Sequence, residues 1–367
     1  MKDFKIIVTR EILDDLNERL KRTRWPDEIK NSGWDYGTNL AYLKELVDYW
    51  SDEFDWRKQE DRINVYPQFK VDIDGLNIHF FHVKGKSEHD TPLLLLHGWP
   101  SSFVQMLEVI PLLRDSFDIV VPSLVGYGFS DASREPGMSV SHMAEIFHKL
   151  MTTVLGYKRY AARGGDLGAG VITQLAIAHP ESVIGIHVGG TMPWVDFEHL
   201  PENMTDAEKE FVANAKKWTN EEMAYAMLHA SKPQTLAYAL NDSPAGLAAW
   251  IIEKFRRWSD CNGNLETQFT KDELLTNVMI YWTTQTANSS MRLYYETIRN
   301  PGGWGQPRIP VAMLMSSRDM FPTPREWAER QGKPDRYTEI NRGGHFLEWE
   351  EAELVAKDIR EFFKDLS

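Results

Sequence analysis

Three side chains far apart in the chain, Asp166, Asp319 and His345, are the types needed for a two-step hydrolysis. A carboxylate that attacks an electrophilic carbon leaves an ester. A base must then activate water to clear it, and a second acid must hold that base in the right tautomer. Nucleophile, acid, histidine is the chain order of hydrolases whose nucleophile sits on a strand-to-helix elbow. Asp166 has that context. The stretch Arg163-Gly164-Gly165-Asp166-Leu167-Gly168-Ala169-Gly170 follows a strand-like run at 160–162 and precedes a helical pattern at 171–176. Gly164 and Gly168 are the small residues two before and two after Asp166 that a sharp turn requires. An Asp that merely caps the following helix would read the same way. Taken singly, Asp319 also reads as a solvated turn residue and His345 as a loop histidine bonded to backbone.

The elements that must position these groups are legible as patterns. Leu93 to Leu96 is a continuous apolar run, as in a strand buried on both faces of a parallel sheet. It leads into His97-Gly98-Trp99-Pro100, where glycine permits N–H groups to face a cleft, as an oxyanion hole requires. Strand patterns at 117–121, 160–162 and 183–188 alternate with helical ones from about residue 91 to 190, which predicts a parallel sheet covered by helices. Alternation resumes with a strand at 311–315, a loop bearing Asp319, an amphipathic segment at 324–331, the Gly343-Gly344-His345 loop and a closing helix at 350–363. Asp319 and His345 thus fall on loops at strand ends, where catalytic groups of such sheets gather. Between the two halves, residues 191–306 are mostly helical, the pattern of an inserted cap. Before them, a hairpin is expected at 69–80 around Asp74-Gly75. Amphipathic helices are expected from Thr9 to about Arg22 and from Leu40 to Trp50. His79 and His82 cannot chelate one metal from opposite faces of a strand and read as structural.

Composition narrows the function class. The 367 residues are 42% apolar and 26% charged, ordinary for a globular protein with a full core. A net charge of −13 argues against nucleic acid or an anionic membrane as partner. The single cysteine, Cys261, excludes an intramolecular disulfide framework. The first eight residues hold no apolar run long enough for a signal peptide or a membrane span, so a cytoplasmic protein without a membrane partner is expected.

With these residues in view, the chain resembles an epoxide hydrolase of the α/β-hydrolase fold, in the branch with an N-terminal extension that includes the microsomal-type enzymes. The likeness runs through Trp34-Asp35-Tyr36-Gly37, Asp55-Trp56-Arg57, Pro67-Gln68-Phe69, His97-Gly98-Trp99-Pro100, Gly126-Tyr127-Gly128-Phe129-Ser130, Gly164-Gly165-Asp166 and Gly343-Gly344-His345-Phe346. It implies a mostly parallel central sheet flanked by helices, with an extension over 1–66, core over 67–190 and 307–367, and a helical cap over 191–306. It further implies that Asp166 is the nucleophile, His345 the base and Asp319 the acid that orients it, with Glu348 and Glu350 as weaker rivals C-terminal to the histidine. Two cap tyrosines that hold the epoxide oxygen match Tyr294, within Arg292-Leu293-Tyr294-Tyr295-Glu296, and Tyr225, seven residues before Lys232-Pro233. A phenol remains protonated at neutral pH and can donate to a developing alkoxide, the alternative for each tyrosine being core packing of the cap. Trp99 and Leu167 would supply the oxyanion-hole N–H groups. The expected partners are a small-molecule epoxide and water, with no cofactor and no metal, in a homodimer. Leu167 stands where many relatives have Trp, and Val125 where Pro is common. The rival readings are a haloalkane or haloacid dehalogenase using the same carboxylates and histidine, and a non-catalytic receptor on the same fold.

Overall fold

The structure is a computed structural model that describes residues 1–86, 90–190, 195–303, 305–320 and 322–366. Its strands are β1 (Lys2–Phe4), β2 (Gln68–Ile73), β3 (Leu76–Val83), β4 (Thr91–Leu96), β5 (Phe117–Pro122), β6 (Tyr160–Gly165), β7 (Val183–Gly189), β8 (Val311–Ser316) and β9 (Arg336–Ile340). They form one sheet in the order β1-β2-β3-β5-β4-β6-β7-β8-β9. The pairings from β5 to β9 are parallel, and those among β1, β2, β3 and β5 antiparallel. The apolar run in β4 is the reason it lies centrally: Leu93 to Leu96 are fully buried, and each leucine so buried contributes about 1.5–3 kcal/mol. The hairpin turn between β2 and β3 follows from Asp74-Gly75, both in the left-handed region at φ 54° and 82°, the conformation a two-residue turn of this hand demands.

The first helices are α1 (Arg10–Lys21), α2 (Leu40–Asp52) and α3 (Trp56–Ile63). The third lies where the sequence reading expected only the close of the second. Its start is set by Asp55, whose carboxylate accepts the N–H groups of Arg57 and Lys58. Buried Glu60 on α3 accepts from Val8 N and Trp56 Nε1, pinning the N-terminal segment. On the flanks of the parallel strands lie α4 (Ile110–Leu113), α5 (Val140–Lys149) and α6 (Asp166–Ala178).

Six helices among the described residues fill the stretch between β7 and β8: α7 (Asp206–Glu221), α8 (Ala224–Ser231), α9 (Pro233–Asp242), α10 (Pro244–Trp258), α11 (Lys271–Thr284) and α12 (Ala287–Arg299). The expected start of this insertion, residue 191, lies outside the described residues. Tyr49 on α2 donates to Asp272 on α11 at 2.8 Å, and Thr38 donates to the Ala249 carbonyl of α10 at 2.8 Å. The N-terminal helices therefore brace the inserted ones. After β8 come α13 (Arg325–Gly332), β9, α14 (Leu347–Glu350) and α15 (Ala352–Phe363). No described helix is long and apolar enough to cross a membrane.

Candidate active site

The site assembles at the carboxyl ends of β4, β6, β8 and β9. Asp166 is the first residue of α6 and has a left-handed φ of 50°, a strain of about 1–3 kcal/mol for a non-glycine residue. Close packing forces it. A Cβ on Gly164 would fall 2.6 Å from the Gly168 carbonyl, and one on Gly168 would fall 2.5 Å from Leu96 O. The two flanking glycines thus let α6 sit directly against the ends of β4 and β6. Under the turn, Arg163 is fully buried and donates to Glu348 at 2.9 and 2.8 Å, while Gln105 donates to the other Glu348 oxygen at 2.7 Å. Glu348, a rival acid in the sequence reading, is thereby committed to Arg163.

The Trp99 N–H donates to Asp166 Oδ1 at 2.8 Å. The loop that carries it is held from two sides. His97 is buried and brought down to about 4 by that burial. Its Nδ1 lies 3.1 Å from Gly98 O, and its Nε2 accepts from Leu124 N at 3.3 Å. From above, Asn277 and Tyr281 on α11 donate to the carbonyls of Pro100 and Ser101 at 2.8 and 2.6 Å. Leu167 occupies the first turn of α6, where backbone N–H groups lack partners within the helix and favour negative charge.

His345 places Nδ1 3.1 Å from Asp319 Oδ1 and Nε2 3.5 Å from Asp166 Oδ2. All three side chains are buried or nearly so, with 3%, 4% and 14% of the His345, Asp319 and Asp166 side chains exposed. Burial opposes the imidazolium, yet the charges and bonds of Asp319 and Asp166 push His345 up to about 10. Glu350 serves the loop instead. Its carboxylate accepts the N–H groups of Asp260, Gly344 and Phe346 at 2.8, 2.8 and 3.0 Å, and burial pushes it up to about 7 against those bonds. His345 N donates to the carbonyl of Trp258, the last residue of α10, at 2.8 Å. Gly344 permits that approach, since a Cβ there would lie 2.4 Å from Trp258 O.

Tyr225 on α8 and Tyr294 on α12 both meet the indole of Trp99, the former stacked at 5.0 Å between centroids and the latter edge-on at 6.2 Å. Burial, then the charge of Asp166, hold the Tyr225 hydroxyl well above its ordinary value. Burial, then Tyr225 and Asp166, do the same for Tyr294. Both phenols are protonated donors. Arg292 and Glu296, on either side of Tyr294, bond Ser133 O at 3.0 Å and Gly137 N at 2.8 Å, fixing this stretch of α12 to the core. Tyr295 instead lies under the Arg299 guanidinium, 3.5 Å from its ring centroid. A small cavity of about 10 Å³ is lined by Trp99, Gln105, Asp166, His345 and Phe346 among others.

The seven residues picked out in the sequence therefore come together around Trp99 and Asp166. Three neighbours escaped that reading. Trp258 packs edge-on against His345 at 5.4 Å and lies tilted against Tyr225 at 5.3 Å. Lys254 lies over the Tyr225 ring at 4.9 Å. His229 touches the rings of Trp99, Tyr225 and Tyr294. Only His229 left a sequence signal, its spacing of four from Tyr225 on one helix face. Among the described residues, no cluster of side chains is suited to holding a metal ion.

The chain is similar to known proteins over nearly its whole length. Residues 1–106 match the family described as epoxide hydrolase N terminus, and residues 91–352 match the alpha/beta hydrolase fold family. Epoxide hydrolase 1 of Oryctolagus cuniculus is 37% identical over 415 residues, covering 99% of this chain and 88% of that protein. The crystal structure of juvenile hormone epoxide hydrolase from the silkworm Bombyx mori is similar at a TM-score of 0.87 and 35% identity, over 100% of this chain and 93% of that one. The epoxide hydrolase of Aspergillus niger superposes with a TM-score of 0.89 at 28% identity, over 100% of this chain and 96% of that one.

Proposed function

Because the chain belongs to the epoxide hydrolases of the α/β-hydrolase fold that carry the N-terminal extension, we propose that it converts an epoxide and water to a vicinal diol through an ester on Asp166. Tyr225 and Tyr294 hold the epoxide oxygen. Asp166 Oδ2 attacks a ring carbon, the carbon–oxygen bond of the ring breaks, and the alkoxide takes a proton from a tyrosine. The observation that carries this reading is the unequal placement of the two carboxylate oxygens. Oδ1 is held by Trp99 N–H and Oδ2 is turned toward His345. Oδ1 becomes the ester carbonyl already lying against the N–H that must stabilise its negative charge in the second step.

That second step belongs to His345, oriented by Asp319. Esterification removes the Asp166 charge, one of the causes that keeps His345 protonated, so the imidazolium gives up its proton to restore the tyrosine that protonated the alkoxide, and the neutral imidazole can take one from water. The hydroxide attacks the ester carbon, the oxyanion rests on the N–H groups of Trp99 and Leu167, and cleavage of the acyl–oxygen bond releases the diol, whose leaving oxygen takes the proton held by His345 while the new Asp166 carboxyl returns one to the imidazole. The decisive experiment is repeated turnover in ¹⁸O-labelled water followed by mass analysis of the peptide carrying Asp166. Label accumulates in the carboxylate if the reading holds, and an unlabelled Asp166 after many cycles sinks the covalent route. We further infer a cytoplasmic homodimer, the assembly the family likeness implies. Light scattering tests this against the 42.4 kDa mass of one chain.

A further inference from the structure

His229 is fully buried on α8, one turn beyond Tyr225. Its Nε2 lies 3.2 Å from Trp250 Nε1, an indole nitrogen that can only donate. Nε2 must therefore accept, which places the imidazole proton on Nδ1. Burial and nearby Lys254 bring His229 down to about 3, so the ring is neutral. The Nδ1–H donor is buried and has no hydrogen-bond partner among the described residues. The His229 ring also meets that of Tyr294, whose hydroxyl faces the Tyr225 hydroxyl, at 5.0 Å between centroids. An unpartnered donor on a ring that touches both phenol rings and the indole of Trp99, the residue whose backbone N–H holds Asp166, leaves one bond that a polar ligand would complete. An unsatisfied buried donor is costly, and a site built around one discriminates against ligands that cannot accept from it.

We infer that His229 Nδ1–H is a specificity contact for an acceptor oxygen carried beside the epoxide ring, so that the substrate class is epoxy ethers, epoxy esters or epoxy alcohols rather than plain alkyl epoxides. The inference rests on the proposed epoxide hydrolysis and adds the neighbouring subsite. With Tyr294 on the ring oxygen, the donor on the adjoining ring is left for a second acceptor on the substrate.

The test compares kcat/KM for ethyl glycidyl ether with that for 1,2-epoxyhexane, a pair of nearly equal shape in which one methylene is replaced by oxygen. Intrinsic reactivity cancels when the ether-to-alkyl ratio of a variant is divided by that of the wild type. His229→Phe is expected to lower the ratio about tenfold, the size expected for one lost hydrogen bond. His229→Asn, whose amide N–H can stand near Nδ1, should keep most of the preference. His229→Gln, whose amide reaches toward the Nε2 position, should lose it. If the Phe variant does not fold, the Asn and Gln pair carries the comparison alone. A fall of less than about threefold in His229→Phe, or preference kept by Gln and lost by Asn, overturns the inference while leaving epoxide hydrolysis intact. Wild-type enzyme that turns over neither epoxide overturns the functional reading and this subsite with it.

Discussion

His345 Nε2 stands 3.5 Å from Asp166 Oδ2, an ion pair at the outer limit of hydrogen-bonding distance. The contact is electrostatic, and it vanishes when the carboxylate becomes an ester. His345 has its pKa raised to about 10 by Asp319 and Asp166. In the free enzyme it should titrate near that value, whereas the hydrolytic half-reaction should reach its plateau at a lower pH. Histidine NMR of the free enzyme, set beside the pH profile of single-turnover ester cleavage, measures both midpoints. Coincident midpoints would remove this coupling.

The same shift has a consequence for stability. Because the folded value lies above the ordinary 6.5 for histidine, the stabilisation is fully present below that pH and is lost as pH rises toward about 10. Urea unfolding of the wild type should weaken steadily across that window. His345→Gln, which has nothing to titrate there, should show a flatter profile, and an equally steep one would place the cause elsewhere.

Asp319→Asn preserves an oxygen facing His345 Nδ1 and removes its charge. Alkylation of Asp166 needs no base and should persist within about tenfold. Ester cleavage should slow by about a hundredfold or more, in line with general-base contributions. Rapid quench with intact-protein mass spectrometry would then find an accumulated adduct. Comparable slowing of both steps would show that Asp319 merely supports the fold.

Tyr225→Phe and Tyr294→Phe act on the first step. Each should lower the alkylation rate about ten- to a hundredfold, and the double variant far more, as for donors to a developing oxyanion. The ester-cleavage rate, measured on trapped adduct, should barely change. Loss confined to ester cleavage would assign the phenols elsewhere.

Glycine positions offer a paired test. A Cβ at Gly98 would lie 2.3 Å from Asp166 Oδ1, so Gly98→Ala should fold and yet lose about a hundredfold or more in activity, as misplacing a reacting group does. At Gly170 on α6 the added carbon meets only Val140 Cγ1 at 3.8 Å. Gly170→Ala should keep activity and gain up to about 1 kcal/mol from helix propensity. Melting curves and initial rates on the two variants decide it.

Much of this was readable from the chain, for identifiable reasons. Asp166 announced itself because the close approach of α6 to β4 leaves only glycine at 164 and 168. Leu93 to Leu96 announced a central strand because a strand covered on both faces must be apolar throughout. What escaped depends on partners remote in sequence. β9 lies at the sheet edge with no residue fully buried, so Arg336-Tyr337-Thr338-Glu339-Ile340 shows no apolar run. β1 is three residues long and exists by pairing with β2. The role of Glu350 depends on backbone N–H groups at 260, 344 and 346, which no side-chain pattern advertises. Trp258 reaches His345 only because α10 ends there.

The bonds from Asn277 and Tyr281 to the Pro100 and Ser101 carbonyls join the roof of the site to the loop that holds the oxyanion. Lifting α11 as a rigid lid would pull on that loop and spoil the alignment of Trp99 N–H with Asp166. An enzyme opened along this side would be disarmed while open, unable to squander its ester on stray nucleophiles. Substrate entry and diol release must then use a path that leaves α11 seated, and mutations that loosen its anchorage should cost chemistry before they cost access.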